Sequence, residues 1–237
     1  MKSFFQLIAR HRVLASSLLL MIFPFIMPYE ALAINILIFG LFAMGFNLLF
    51  GYMGLLSFGH AAFLGMGSYL TGIGIVHYGM PWGAAIMVGI IGAAIGGLIM
   101  GYLAIRTRGI YFSMVTLALG QIIYYIFYKA ESLTGGENGL RGVRVDQFNI
   151  FGIPVDFLNP LTKYYIILFF VVIAMWLISR ILSSPLGAVM EAIRENEKRA
   201  AACGFDVART KLLVFVLSAA ICGLAGSLRA LHLSIVP

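Results

Sequence analysis

The chain has 237 residues, of which 62% are hydrophobic and 11% charged. Soluble domains carry about 25% charged residues, and a mean hydropathy of +1.01 leaves too few polar groups to cover one water-soluble core of this size. An ordinary soluble enzyme, a disordered protein and a nucleic-acid module are excluded. The formal charge of +7 has to be read by position, as in a polytopic membrane protein.

A membrane-spanning helix needs about 20 mostly apolar residues. Seven runs meet that need, near 13–29, 31–50, 61–78, 82–105, 110–128, 163–181 and 210–231. They are too long and continuous for the strands of a membrane barrel, so the predicted fold is all-α: a transmembrane helical bundle of about seven spans. Lys2, Arg10 and Arg12 precede the first run, and Ala31-Leu32-Ala33 resembles a signal-peptidase site. Val13–Met27 is long for a signal peptide, Glu30 lies in the cleavage region and a second span follows at once, so a retained first helix is favoured.

Between the second and third runs lies an uncharged, glycine-rich stretch, Gly51 to His60. It reads either as a connection or as one half of a broken helix. Gly51, Gly54, Gly59, Gly65 and Gly67 surround Ser57 and His60, and discontinuous helices of this kind build substrate sites in many transporters. With Asn47, Thr116 and Gln121, the residues Ser57, Gly59 and His60 form a candidate substrate path. For any one polar residue, a hydrogen bond between helices is the commoner role. In the fourth run Gly92xxxGly96 and Gly97xxxGly101, with Gly83 and Gly89, leave a side-chain-poor stripe suited to close helix packing.

Seven spans put Lys2, Arg10, Arg12, Arg106, Arg108, Arg180, Arg194, Lys198, Arg199, Arg209 and Lys211 on one side, with the N-terminus, as the positive-inside rule requires of a cytoplasmic face. The segment 130–161 falls outside, with Glu131, Glu137, Asp146 and Asp156 against Arg141 and Arg144. The inner segment 182–209 opens with Ser184-Pro185, a cap followed by proline at the first helical position. Residues 186–203 then read as one amphipathic helix, with Glu191–Arg194 and Glu195–Arg199 at pairing distance along it. Gly204 is its stop and Asp206 caps the next helix. Such a helix is either a solvated connector on the headgroups or a docking surface for a soluble partner.

The sequence has no GxxxxGK[ST], HExxH or GxSxG, so it offers no ATP site, metalloprotease site or esterase site of its own. Histidines 11, 60, 77 and 232 are too scattered for a metal site, and no cofactor is expected. Cys203 and Cys222 lack metal spacing and read as small apolar fillers. Apart from Arg229 near the end of the last span, no fixed charge sits deep in a helix, which argues against a voltage sensor or a carboxylate-based proton pump.

Three stretches carry a resemblance. Phe50-Gly-Tyr-Met-Gly-Leu-Leu-Ser-Phe-Gly-His-Ala-Ala-Phe-Leu-Gly-Met-Gly-Ser-Tyr69, Arg106-Thr-Arg-Gly-Ile-Tyr-Phe-Ser-Met-Val-Thr-Leu-Ala-Leu-Gly-Gln121 and Leu133-Thr-Gly-Gly-Glu-Asn-Gly-Leu140 resemble signatures of branched-chain amino acid ABC-transporter permeases. Ser184-Pro-Leu-Gly…Ala192-Ile-Arg-Glu-Asn-Glu197…Ala200…Gly204 resembles that family's cytoplasmic coupling motif. Ser57 stands where one of the two paired subunits tends to have asparagine, so the chain resembles the other, M-type subunit. The resemblance implies one permease domain over 1–237, with 182–209 as its coupling segment. It implies transport of leucine, isoleucine or valine, with urea or short-chain amides as the rival cargo. The implied setting is the bacterial inner membrane. The implied partners are a second permease subunit, ATP-binding subunits, an extracytoplasmic substrate-binding protein and the lipid bilayer itself. ATPase coupling would fall to Glu191, Ala192, Arg194, Glu195, Asn196, Arg199, Ala200 and Gly204. Family members continue for two or three more spans, so the resemblance also implies a shortened C-terminus and leaves a non-transporting scaffold open.

Overall fold

The computed structural model describes residues 12–27, 29–143, 148–150, 153–155 and 159–236. Lys2, Arg10, Arg144, Asp146 and Asp156 lie outside the described residues. Helix α1 (Arg12–Ile26) contains Pro24 and leads to α2 (Glu30–Met53), α3 (His60–Val76), α4 (Trp82–Ala104) and α5 (Ile110–Lys129). A short α6 (Glu131–Thr134), a 3-10 turn (Gly136–Asn138) and strands β1 (Leu140–Arg141), β2 (Phe148–Ile150) and β3 (Ile153–Val155) follow. The chain continues through α7 (Pro160–Leu182), α8 (Pro185–Glu195), α9 (Glu197–Ala202), α10 (Val207–Leu233) and β4 (Ile235–Val236).

The all-α expectation holds, since among the described residues the strands pair only in two short antiparallel ribbons, β1 with β4 and β2 with β3. Among the described residues five helices, α2, α4, α5, α7 and α10, are long and apolar enough to cross a membrane. The count of seven is met by length only in part. The apolar stretch of α1 is Ser16–Phe25, and α3 has 17 residues, about 25 Å at 1.5 Å per residue.

Helix α10 is the most buried of the five long helices and sits at the centre, packed by α2, α3 and α4. Lipid gives apolar side chains little reason to leave it, so such helices associate by fitting closely. A Cβ at Gly67 of α3 would collide with the Gly223 carbonyl of α10, and one at Gly226 with the Leu64 carbonyl. The predicted stripe on α4 divides between two neighbours: Gly97 and Gly101 meet Ala219 and Phe215 of α10, while Gly92 and Gly96 meet Leu70 and Met66 of α3. Hydroxyls finish these seams, with Ser68 donating to the Gly226 carbonyl at 2.8 Å and Thr71 to Ser227 at 2.8 Å. Tyr164 of α7 is fully buried and donates to the Leu20 carbonyl at 2.6 Å, so it seals α7 against α1.

The two ends of the bundle are chemically distinct. At one end, here called the basic end, the α4–α5 turn with Arg108 meets α9 and the start of α10. At the other, β1 pairs with β4 through Leu140↔Val236, and His77 bonds the Leu133 carbonyl at 3.0 Å.

Candidate translocation groove and coupling segment

Helix α2 ends in a left-handed glycine cap. Gly54 adopts φ +73°, its N–H bonds the Phe50 carbonyl at 3.0 Å and the Leu55 N–H bonds the Leu49 carbonyl at 3.2 Å. Residues 54–59 then run irregularly to α3 and are held by α5. Ser113 donates to the Leu56 carbonyl at 2.6 Å, the Phe58 N–H bonds Thr116 Oγ1 at 3.2 Å, and Thr116 itself donates to the Ser113 carbonyl. Gly59 lies directly under α5: a Cβ there would strike the Thr116 carbonyl and Met100 Cε.

The candidate path residues therefore separate. Ser57, His60 and Thr116 are buried. His60 Nε2 donates to Ser218 Oγ at 2.9 Å, because Ser218 spends its own proton on the Gly45 carbonyl at 2.6 Å. This chain ties α3, α10 and α2 together within a ring of Phe46, Phe63 and Phe215. Ser57 Oγ and His60 Nδ1 are left without a hydrogen-bond partner. Asn47 is exposed on α2, its amide folded over Gly51. Only Gly59 and Gln121 of the six border an open space.

That space is a groove of about 680 Å³ between α3 and α5. It starts at Phe58 and Gly59 near the basic end, passes Gly65, Gly120 and Gln121, and reaches Tyr128 and Glu137 at the far end. Bulky side chains such as Tyr69, Tyr124 and Phe127 wall it, and Gly65 leaves open space along it. The far end is shaped by the Leu133–Leu140 stretch, where Gly135, Gly136 and Gly139 take φ of +77°, +54° and +65°, conformations that cost other residues roughly 1–2 kcal/mol each. Tyr128 donates to the Glu137 carboxylate across this mouth.

The coupling segment departs from its sequence reading. It is two helices, not one: Asn196 leaves the helical region with φ −157° and ψ 101°, and its side chain accepts from the Arg199 N–H at 3.0 Å to start α9. The break separates Glu195 from Arg199, and among the described residues neither that pair nor Glu191–Arg194 forms an ion pair. Of the flanking signals, the Ser184 cap is not made, because its hydroxyl donates back to the Ile181 carbonyl at 2.6 Å; the others hold. Pro185 is at the first position of α8, Gly204 takes φ +88°, and Asp206 accepts from the Arg209 N–H at 3.0 Å. Glu191, Glu195, Asn196 and Arg199 are exposed, Ala192 is half-buried, and Ala200 is buried against the bundle. Arg194 donates to the Gly51 carbonyl at the end of α2, where the helix dipole leaves negative charge.

Sequence reading missed the most telling charges here. Lys211 of α10 is buried, its ammonium 2.8 Å from one Glu197 oxygen, while Arg108 approaches the other at 3.5 Å. Only the apolar character of the run beginning at Lys211 hinted that this lysine needed a buried partner.

An all-α membrane protein with a groove along its length and a charged segment clasped at one end is the class this geometry defines. The chain belongs to the family described as branched-chain amino acid transport system / permease component, whose model matches residues 29–237. It is similar to "High-affinity branched-chain amino acid transport system permease protein LivM" of Salmonella typhimurium, with 32% identity over 214 residues, 82% of this chain and 50% of the relative. The protein of the same description from Escherichia coli is 30% identical over 213 residues, with the same shares. A "Probable branched-chain amino acid transport permease protein LivM" of Methanocaldococcus jannaschii is 23% identical over 242 residues, 87% of this chain and 69% of the relative. The chain thus spans about half the length of the two enterobacterial relatives. No solved structure matches it.

Proposed function

We propose that this chain is a transmembrane permease subunit of an ATP-driven importer that moves leucine, isoleucine and valine across the bacterial inner membrane. The observation that carries the reading is the family match across residues 29–237. In this reading the basic end faces the cytoplasm, in keeping with the positive-inside rule. Partners would be a second permease subunit, ATP-binding subunits docked on α8–α9, and an extracytoplasmic binding protein that delivers substrate at the Tyr128–Glu137 mouth.

The contacts supply a route from docking to transport. A displacement of α8 is passed by Arg194 to the Gly51–Gly54 turn, and one of α9 is passed by Glu197 to Arg108 and Lys211. The Gly51–Gly54 turn leads into the 54–59 segment, which reaches the groove at Phe58 and Gly59, and Ser113 and Thr116 hold that segment to α5, one of the groove's walls. Two packings of this joint, one open to each side, are what a partner's ATP-driven closure would bias. Uptake of labelled leucine by cells lacking their own branched-chain importers, with this chain and its cognate partners expressed, tests the reading. Uptake of urea or short amides in place of leucine would reassign the cargo, and uptake of neither would leave a scaffold.

A further inference from the structure

Arg229 sits about one turn before the end of α10, inside the membrane-spanning bundle. Among the described residues it has no carboxylate within ion-pair distance and no hydrogen bond; its guanidinium lies over the Phe39 ring, 5.6 Å from the centroid. A cation at this depth is expensive without an anion or water, and a face of aromatic ring supplies only a part of what a carboxylate would. It lines a small cavity of about 40 Å³, with Ser68, Tyr69 and Val236 among its neighbours. Ser68 has committed its proton to backbone carbonyls, whereas the Arg229 guanidinium keeps donors to spare in this cavity.

The cavity adjoins the long groove. Both are bordered by Gly65 and Tyr69, and a Cβ at Gly65 would meet nothing within 4 Å. Where the two linings meet at Gly65, no side chain stands between them. Beyond that point the groove carries the opposite charge, the exposed Glu137 carboxylate at its mouth.

We propose that Arg229 and its cavity form a binding subsite for the carboxylate of a small branched-chain substrate, entered from the groove past Gly65. The inference rests on the transport reading above and deepens it: a subsite of this kind selects an amino acid over an uncharged amide or urea, because a bidentate guanidinium–carboxylate pair has no equivalent with a neutral ligand. A headgroup phosphate offers the same anionic chemistry and is the alternative source.

The test uses the full chain in phosphatidylcholine nanodiscs, with isovalerate and its neutral isostere isovaleramide as probes, read by ligand-observed NMR titration. Isovalerate should bind the wild type at least tenfold more tightly than it binds Arg229→Gln, while isovaleramide should bind both alike. Arg229→Lys should recover part of the difference, and Gly65→Leu should weaken isovalerate with Arg229 intact. Equal isovalerate binding by wild type and Arg229→Gln overturns the subsite. So does isovalerate affinity that vanishes when phosphatidylglycerol is included, which assigns Arg229 to lipid headgroups. Since binding is read without ATP or partners, its failure is distinct from failure of leucine uptake, which bears on the transport reading alone.

Discussion

A methyl group at position 59 would drive into the Thr116 carbonyl of α5, and backbone cannot yield as a side-chain tip can. Gly59→Ala should therefore destabilise the protein by about 1–3 kcal/mol, the usual cost of overpacking, seen as a lower unfolding midpoint in detergent. Gly65→Ala, which adds its methyl to open space, should leave the midpoint unchanged or raise it. The Glu197–Lys211 pair makes a second test at this scale. Glu197→Gln strands a buried ammonium and should cost about 3 kcal/mol. Combining it with Lys211→Met should restore part of that loss, and an additive double mutant would mean the two groups are not coupled. Polar residues such as His60 and Thr116 were legible as exceptions in an apolar sequence. Their partners were not, because Ser218 lies far from His60 in the chain, and the Phe58 N–H far from Thr116, and nothing local selects them.

Among the elements, the long helices could be placed from hydropathy to within a few residues, since the bilayer demands unbroken apolar length. The break at Asn196 could not. Glu-Asn-Glu-Lys-Arg-Ala-Ala-Ala is good helix-forming material apart from the asparagine, and Gly204 supplies an obvious stop further on. Asn196 is a cap whose value shows only once α8 has turned away. Asn196→Ala should remove about 1 kcal/mol of capping, read as roughly fivefold faster amide exchange in α9. The two-helix arrangement also sorts the coupling charges. Glu191 and Glu195 face outward, so reversing both should weaken co-purification with the ATP-binding subunits. Arg194, itself exposed, reaches back onto the Gly51 carbonyl; Arg194→Glu should leave co-purification intact and lower transport per ATP hydrolysed. If both variants behave alike, α8 does not distinguish docking from transmission.

For the whole molecule, the expected sidedness places Asn138 outside and Asn196 in the cytoplasm. Single cysteines at these positions, in a background with Cys203 replaced, should react with an impermeant maleimide in intact cells at 138 and not at 196. The reverse pattern would invert the bundle. The groove was not legible in the sequence, because it lies between two helices that hydropathy treats as ordinary spans. Gly65 and Gly120 read alike in the sequence, and only the structure separates them: a Cβ at Gly120 would press on Gly59 Cα at 3.0 Å, whereas one at Gly65 would meet open space.

The helix on which α2, α3 and α4 all converge is also the last of the described helices to be synthesised. As the chain emerges, α2 through α4 enter the membrane with the small-residue seams meant for α10 still facing lipid, and β1 waits for a partner strand that follows α7, α8 and α9. Assembly in the cell must therefore hold the early helices loosely, near the insertion machinery or in mutual contact, until α10 slides into the centre and β4 closes onto β1. Nascent chains arrested before α10 should remain accessible to protease at Leu140–Arg141, and protection should arise in one step once Ile235–Val236 has crossed.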